Sequence, residues 1–150
     1  MKSFCYFFFI VLFILSCSPK AFVVDLEKDT GWKNTSYLTF SNGSYSQDSL
    51  DRNPVSTLGS EGFLKFLYSN ATYPVAARNA GISGIVVLEL SIDEKGNLID
   101  SIVKESLSPE CDQEVLRAVR KACEAGFFPA IKDGKAVAVK FDFPFKFRLA

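Results

Sequence analysis

The stretch Val137-Ala138-Val139-Lys140-Phe141-Asp142-Phe143-Pro144-Phe145-Lys146-Phe147-Arg148-Leu149 decides the fold. Val137, Val139, Phe141, Phe143, Phe145, Phe147 and Leu149 alternate with small, polar or charged residues. A strict period of two is the signature of a long strand with one buried face. The phenylalanine row is therefore a core row, and Lys140, Lys146 and Arg148 lie on the outward face. Cations there ordinarily protect an edge and keep the protein soluble. Pro144 has no N–H to give to a ladder, so this strand either lies at a sheet edge or carries a bulge.

Working back from that strand, Lys132-Asp133-Gly134-Lys135 reads as a turn. Ser108-Pro109-Glu110-Cys111-Asp112 opens a helix, with acidic Glu110, Asp112 and Glu114 at its positive end and Arg117, Arg120 and Lys121 further on. Val115, Leu116, Val119, Ala122 and Cys123 form its inward stripe, and Gly126 closes it. Ile85–Ile92 is β-rich, with Val86, Leu88, Leu90 and Ile92 on one face. Asp93-Glu94-Lys95-Gly96-Asn97 is a hairpin loop, and Leu98–Glu105 returns from it. The return strand has two apolar pairs, Leu98/Ile102 and Ile99/Val103, and its pattern does not choose between them. Upstream, Ser60 caps a short helix with Phe63, Leu64, Phe66 and Leu67 as its stripe, ended by Ser69-Asn70. Tyr73-Pro74 starts a second helix through Val75–Ala80, with Gly81 as its C′ residue. The order α-α-β-β-α-β predicts an α+β domain over 59–150, a small antiparallel three-stranded sheet packed against two or three helices.

The amino terminus has a different character. Lys2 is followed by an unbroken apolar run from Phe4 to Leu15. As a helix that run is about 18 Å long, short of the roughly 30 Å of a bilayer core, and it fits an export signal. Ile14-Leu15-Ser16-Cys17 resembles the lipobox of bacterial lipoproteins, which implies a signal peptide over 1–16 and lipidation at Cys17. An ordinary signal peptide with an incidental cysteine is the plainer alternative. A lipid-anchored flexible tether is expected over 17–58, rich in Ser, Asn, Asp, Gly and Thr, with room for short strands at Phe22-Val23-Val24 and Tyr37-Leu38-Thr39-Phe40 and for a local hairpin. Cys111 and Cys123 would be about 18 Å apart along one helix, too far for a disulfide, and are expected as free, mostly buried thiols.

Composition bounds the chemistry. The 150 residues contain no histidine, so Ser-His-Asp and Cys-His catalysis and imidazole metal sites are excluded. Seventeen basic and seventeen acidic residues balance, which leaves no electrostatic footprint for nucleic acid. No nucleophile motif appears, Asp93-Glu94 belongs to a turn, and Asp112 and Glu114 belong to a helix start, so no enzyme and no cofactor is expected.

Taken in order, several phrases resemble the C-terminal domain of TonB-type energy transducers. Tyr73-Pro74 with Ala76, Ala77 and Gly81-Ile82-Ser83-Gly84 is similar to the family's Tyr-Pro-x-x-Ala…Gly-x-x-Gly opening. Asp93-Glu94-Lys95-Gly96 falls between two strands, as in the family. Cys111-Asp112-Gln113-Glu114-Val115-Leu116-Arg117 resembles its Leu-Asp-x-Glu-Ala-Leu-Arg helix, with Cys111 where Leu is usual and Val115 where Ala is usual. Phe127-Phe128-Pro129-Ala130 followed by Gly134-Lys135-Ala136-Val137 resembles aromatic-x-Pro…Gly-x-x-Val. The resemblance spans Gly59–Leu149. It implies a non-catalytic envelope module that recruits the TonB-box segment near the N-terminus of an outer-membrane transporter as an added strand. Carried onto this chain, the expected partner-binding residues are Tyr73, Pro74, Val137, Val139, Lys140, Phe141, Asp142, Phe143, Lys146 and Arg148. The setting implied is an outer-membrane lipoprotein facing the periplasm, without the spanning helix that meets a proton-driven motor. The alternative is a structural envelope protein that dimerises through its edge strand or contacts cell wall.

Overall fold

The computed structural model describes residues 36–41 and 43–149. The expected signal peptide, Cys17 and the possible strand Phe22-Val23-Val24 lie outside the described residues. Among the described residues nine strands and three helices follow one another: β1 (Tyr37–Ser41), β2 (Ser44–Gln47), β3 (Val55–Ser56), α1 (Gly59–Asn70), α2 (Val75–Asn79), β4 (Gly84–Ile92), β5 (Leu98–Glu105), α3 (Pro109–Cys123), β6 (Phe127–Phe128), β7 (Ala130–Lys132), β8 (Lys135–Val137) and β9 (Val139–Phe147). The class is α+β, as the pattern predicts, but the main sheet has five strands in the order β2-β1-β9-β4-β5 rather than three.

The backbone of the sheet is the antiparallel pair β4 and β9, in register from Gly84↔Phe147 to Ile92↔Val139. Both strands alternate, so Val86, Leu88, Leu90 and Ile92 join Val139, Phe141, Phe143, Phe145 and Phe147 on one buried face. Phe63, Leu64, Leu67 and Tyr68 of α1 and Cys111, Val115, Ala118, Val119, Ala122 and Cys123 of α3 cover that face. Phe63 meets Phe143 edge-on at 6.0 Å, and Tyr68 stacks on Phe145 at 4.8 Å. Leu116 and Phe66, expected in the inward stripes, are half-buried, while Ala118 and Tyr68 take buried places.

Local chemistry explains the element ends. Ser108 Oγ accepts from the Cys111 N–H and caps α3 just before Pro109. Ser60 is not the cap of α1; the helix begins one residue earlier, at Gly59, and Ser56 Oγ accepts from the Leu58 N–H. Pro74 immediately precedes α2 rather than lying in its first turn, and Gly81 follows that helix with φ +69°. Asp133 (φ 50°) and Gly134 (φ 70°) are both left-handed, as the two-residue β7–β8 hairpin requires.

Three expectations need correction. The final strand is two strands: β8 pairs with β7, and the run resumes as β9 after Ala138. Secondly, β9 is central, not at the edge and not bulged, because β1 pairs with it opposite β4 through Tyr37↔Phe141, Leu38↔Lys140 and Thr39↔Val139. Residues 37–58, thirdly, are not a free tether. Beyond the β1–β2 hairpin, Asp51 and Arg52 bond to Ile131, and β3 pairs with β6. The polar composition of this segment hid the main-chain pairing that holds it. In β5, shifts of register between Val87/Leu88 and between Ser91/Ile92 bring Leu98 and Val103 against the core and leave Ile99 and Ile102 exposed. Bulges mix the two apolar pairs, so neither alternative of the sequence pattern holds as written.

Two contacts lock the layers. The β4–β5 turn abuts the start of β6, where the Phe127 N–H donates to Gly96 C=O at 2.8 Å. Glu114 of α3 accepts from the Thr72 N–H at 2.6 Å and from Arg117, which in turn donates to Asn70 C=O. Burial works to raise the Glu114 pKa, but the hydrogen bonds from Arg117 and the Thr72 main chain outweigh it and hold the carboxyl below its usual range.

Gly96 has φ +86°, and a Cβ there would lie 1.8 Å from Phe127 O. Gly96→Ala is expected to cost more than about 1 kcal/mol, read as a lower urea midpoint; an unchanged midpoint would mean the turn relaxes freely. Glu114 has a depressed folded pKa, so its stabilisation is present above its ordinary value of 4.5 and fades as pH falls through the folded value. Glu114→Gln should lose about 1 kcal/mol at pH 7, given the half-exposed Arg117, and show a shallower loss of stability as pH falls below the ordinary carboxylate range. Parallel pH curves for the two proteins would refute this.

Candidate partner-binding edge

The main-chain direction of β9 follows from one hydrogen bond. The Phe40 N–H of β1 donates to Ala138 C=O at 3.0 Å. Ala138 therefore faces β1, and with it every second residue: Lys140, Asp142, Pro144 and Lys146. Val139, Phe141, Phe143, Phe145 and Phe147 turn their main chain to β4. Pro144 is tolerated in a central strand for this reason. Its missing N–H points away from β4, beyond the end of β1 at Tyr37. Among the described residues, no strand pairs with Asp142–Phe147 on that side.

The expected binding residues separate into distinct groups around this strand. Val139, Phe141 and Phe143 are core side chains. Val137 lies in β8, on another small sheet, and is half-buried. Lys140 and Asp142 share the outward face but are ion-paired across it. Lys140 reaches Glu89 at 2.9 Å and lies 4.9 Å over the Tyr45 ring, while Lys104 reaches Asp142 at 2.7 Å. The hydrogen bond to Glu89 raises the Lys140 pKa, and that to Asp142 raises the Lys104 pKa. Lys146 continues the outward row and Arg148 follows the end of the strand; both are half-buried.

Tyr73 lies at the far end of β9. Its ring meets Phe147 edge-on at 5.2 Å, its hydroxyl donates to Ile82 C=O, and burial raises its pKa. It ties the loop before α2 to the sheet, which is a packing role. Pro74 lies beside it at the start of α2. The two thiols, Cys111 and Cys123, are free and buried as expected, and burial pushes Cys123 up to about 12.

The pattern did not reveal that β1 covers Val139–Phe141. Tyr37–Phe40 was legible as a short strand, but its partner was not, because nothing in four residues encodes a long-range register. The opposite edge of the sheet, β5, is defended. Arg120 donates to Ser101 Oγ at 2.9 Å and to Ser101 C=O at 3.5 Å, within a groove of about 560 Å³ between β5 and α3.

Residues 69–149 match the family described as Gram-negative bacterial TonB protein C-terminal. Protein TonB of Vibrio cholerae is 37% identical over 78 residues, which cover 51% of this chain and 31% of that protein. The chain thus matches about a third of the length of that curated relative. Two solution structures of the Helicobacter pylori TonB C-terminal domain are also similar. Its residues 194–285 align at 23% identity and a TM-score of 0.44, over 57% of this chain and 92% of that one. Its residues 179–285 align at 21% and 0.47, over 59% and 78%. With the family matched over more than half its length, this chain belongs to the TonB C-terminal domain family.

Proposed function

We propose that this protein is a non-catalytic binding module of the bacterial envelope. Its domain takes up an extended segment of an outer-membrane transporter, or of another envelope partner, as an added strand along β9, in support of transport. The observation that carries the reading is the row of main-chain groups on Asp142, Pro144 and Lys146, which has no strand partner among the described residues. Strand addition needs little else: main-chain hydrogen bonds supply affinity, and alternate side chains supply selectivity. The family supports the reading, since Protein TonB is the relative matched. The ion pairs at Lys140 and Asp142 narrow the earlier residue set, because these side chains already have partners across the sheet.

The anchor is a second part of the proposal. Ile14-Leu15-Ser16-Cys17 supports cleavage before Cys17 and lipidation of its thiol. Several acyl chains hold a protein stably on a membrane, whereas one is marginal. The outer membrane, with the domain in the periplasm, is the setting proposed. Dimerisation through the same edge is the weaker reading, because antiparallel self-pairing of Asp142–Phe147 would bring two Pro144 residues together and forfeit donors on both strands.

Two experiments test these statements. Titration of the full chain in detergent micelles with peptides from transporter N-termini should shift the backbone amides of Asp142, Phe143, Phe145, Lys146 and Phe147. An absence of shifts there would sink strand addition, and sedimentation of the same sample reports any dimer. Cys17→Ala should move the protein out of the membrane fraction, or leave it unprocessed at higher mass; unchanged fractionation and mass would refute lipidation.

A further inference from the structure

The edge available to an incoming strand is divided. Its better half lies under β1, where Ala138 and Lys140 offer uninterrupted main-chain donors and acceptors to Phe40 and Leu38. On the half that no described strand pairs, the main chain of Asp142, Pro144 and Lys146 faces outward, and the proline leaves N–H groups there at Asp142 and Lys146 alone. A segment making an uninterrupted ladder over more than two or three residues would therefore enter where β1 lies.

The β1–β2 hairpin has a shorter hold on β9 than β4 has. Among the described residues it is held to β9 through Tyr37–Thr39 and the Phe40–Ala138 hydrogen bond, whereas β4 pairs with that strand from end to end. Every residue of β2 is exposed. Tyr37 and Thr39 point inward, with the Tyr37 ring 5.3 Å from Phe141 and Thr39 only 1% exposed. Further ties among the described residues are Lys140, 4.9 Å over the Tyr45 ring, and Asp48, which accepts from Thr39 and Ser46 at 3.0 Å and pairs with Lys132 at 2.5 Å. Immediately downstream the chain is held independently. The Asp51 and Arg52 N–H groups donate to Ile131 C=O, the Ile131 N–H donates to Arg52 C=O, and β3 pairs with β6. Release of residues 36–48 would thus leave 51–58 seated.

Resting on the strand-addition reading above, we infer that β1 is a resident strand occupying the partner's place, and that a partner binds by exchanging with it. The resident strand also states what the place accepts. The partner is an extended segment with an aromatic and a β-branched residue two positions apart on one face, both uncharged, because they meet buried Phe141 and Val139. A charge at either position would be buried without a counter-ion. Since β1 competes intramolecularly, the apparent affinity for any such segment is lowered by the fraction of molecules in which the edge is closed.

The test uses the full-length chain in detergent micelles and, as probe, the capped peptide Ser-Tyr-Leu-Thr-Phe-Ser, the sequence of residues 36–41. Leu38→Pro removes a donor to β9 while sparing the hairpin, whose β2-facing groups belong to its neighbours. Thr39→Cys with Val139→Cys locks β1 down, since this non-hydrogen-bonded pair has the short separation a disulfide needs. Affinity should be about tenfold tighter for Leu38→Pro than for wild type, and about tenfold weaker for the oxidised double variant. Reducing that disulfide should restore wild-type binding, which controls for misfolding of the variant. In wild-type protein, saturating peptide should speed hydrogen exchange at the Leu38 and Phe40 amides and slow it at Lys140 and Asp142. Equal affinity in all three proteins, with shifts at Asp142 and Lys146, would overturn the exchange and leave strand addition standing. No binding to any of them, Leu38→Pro included, would overturn both.

Discussion

The antiparallel pairing of β4 with β9 is the constraint on which the other elements depend. It aligns two alternating rows, Val86–Ile92 and Val139–Phe147, on one face, and makes that face apolar along its full length. A surface of that kind must be covered, and α1 and α3 cover it with Phe63, Leu67, Val115 and Val119. The register also fixes the outward face, where Lys140 falls opposite Ser91, next to Glu89, and Asp142 falls within reach of Lys104. A slip of one residue would bury these charges and expose the phenylalanines, so the pairing cannot shift by a single position.

The same pairing decides where the sheet can grow. Because the odd-numbered residues of β9 bond to β4, the even-numbered ones face the other way, and Pro144 is among them. The proline spares the internal ladder and interrupts the external one. The external side is then shared between β1, at Val139–Phe141, and a half that is open among the described residues. On the far side of the sheet Arg120 occupies the main chain of β5 at Ser101. Binding by strand addition and restraint by a resident strand thus belong to one edge, and the proline sets its division.

Much of the domain was legible in the sequence. The alternation of β9 and β4, the Ser108-Pro109 start of α3, the Asp133-Gly134 turn and the distance between Cys111 and Cys123 are local properties that few-residue patterns encode. The family resemblance was legible because ordered phrases such as Tyr73-Pro74 and Gly81–Gly84 survive as backbone requirements. The edge was legible only in part. Pro144 announced that one side of the strand lacks a donor, but not that the strand has neighbours on both sides. The faces of β5 were hidden by bulges, which change the period without changing composition.

The sequence by itself determined which residues are apolar on which face of each element, where helices start and turns close, and hence the α+β class. These follow from periodicity, caps and turn chemistry, all of which act within a few residues. Only the tertiary structure decided that Tyr37–Thr39 lies along Val139–Phe141, that Lys140 and Asp142 are neutralised by Glu89 and Lys104, and that no described strand continues the pairing past Phe141 on that side. Those are pairings between segments dozens of residues apart. Their register is set by packing of the whole core, and no local pattern in either segment records it.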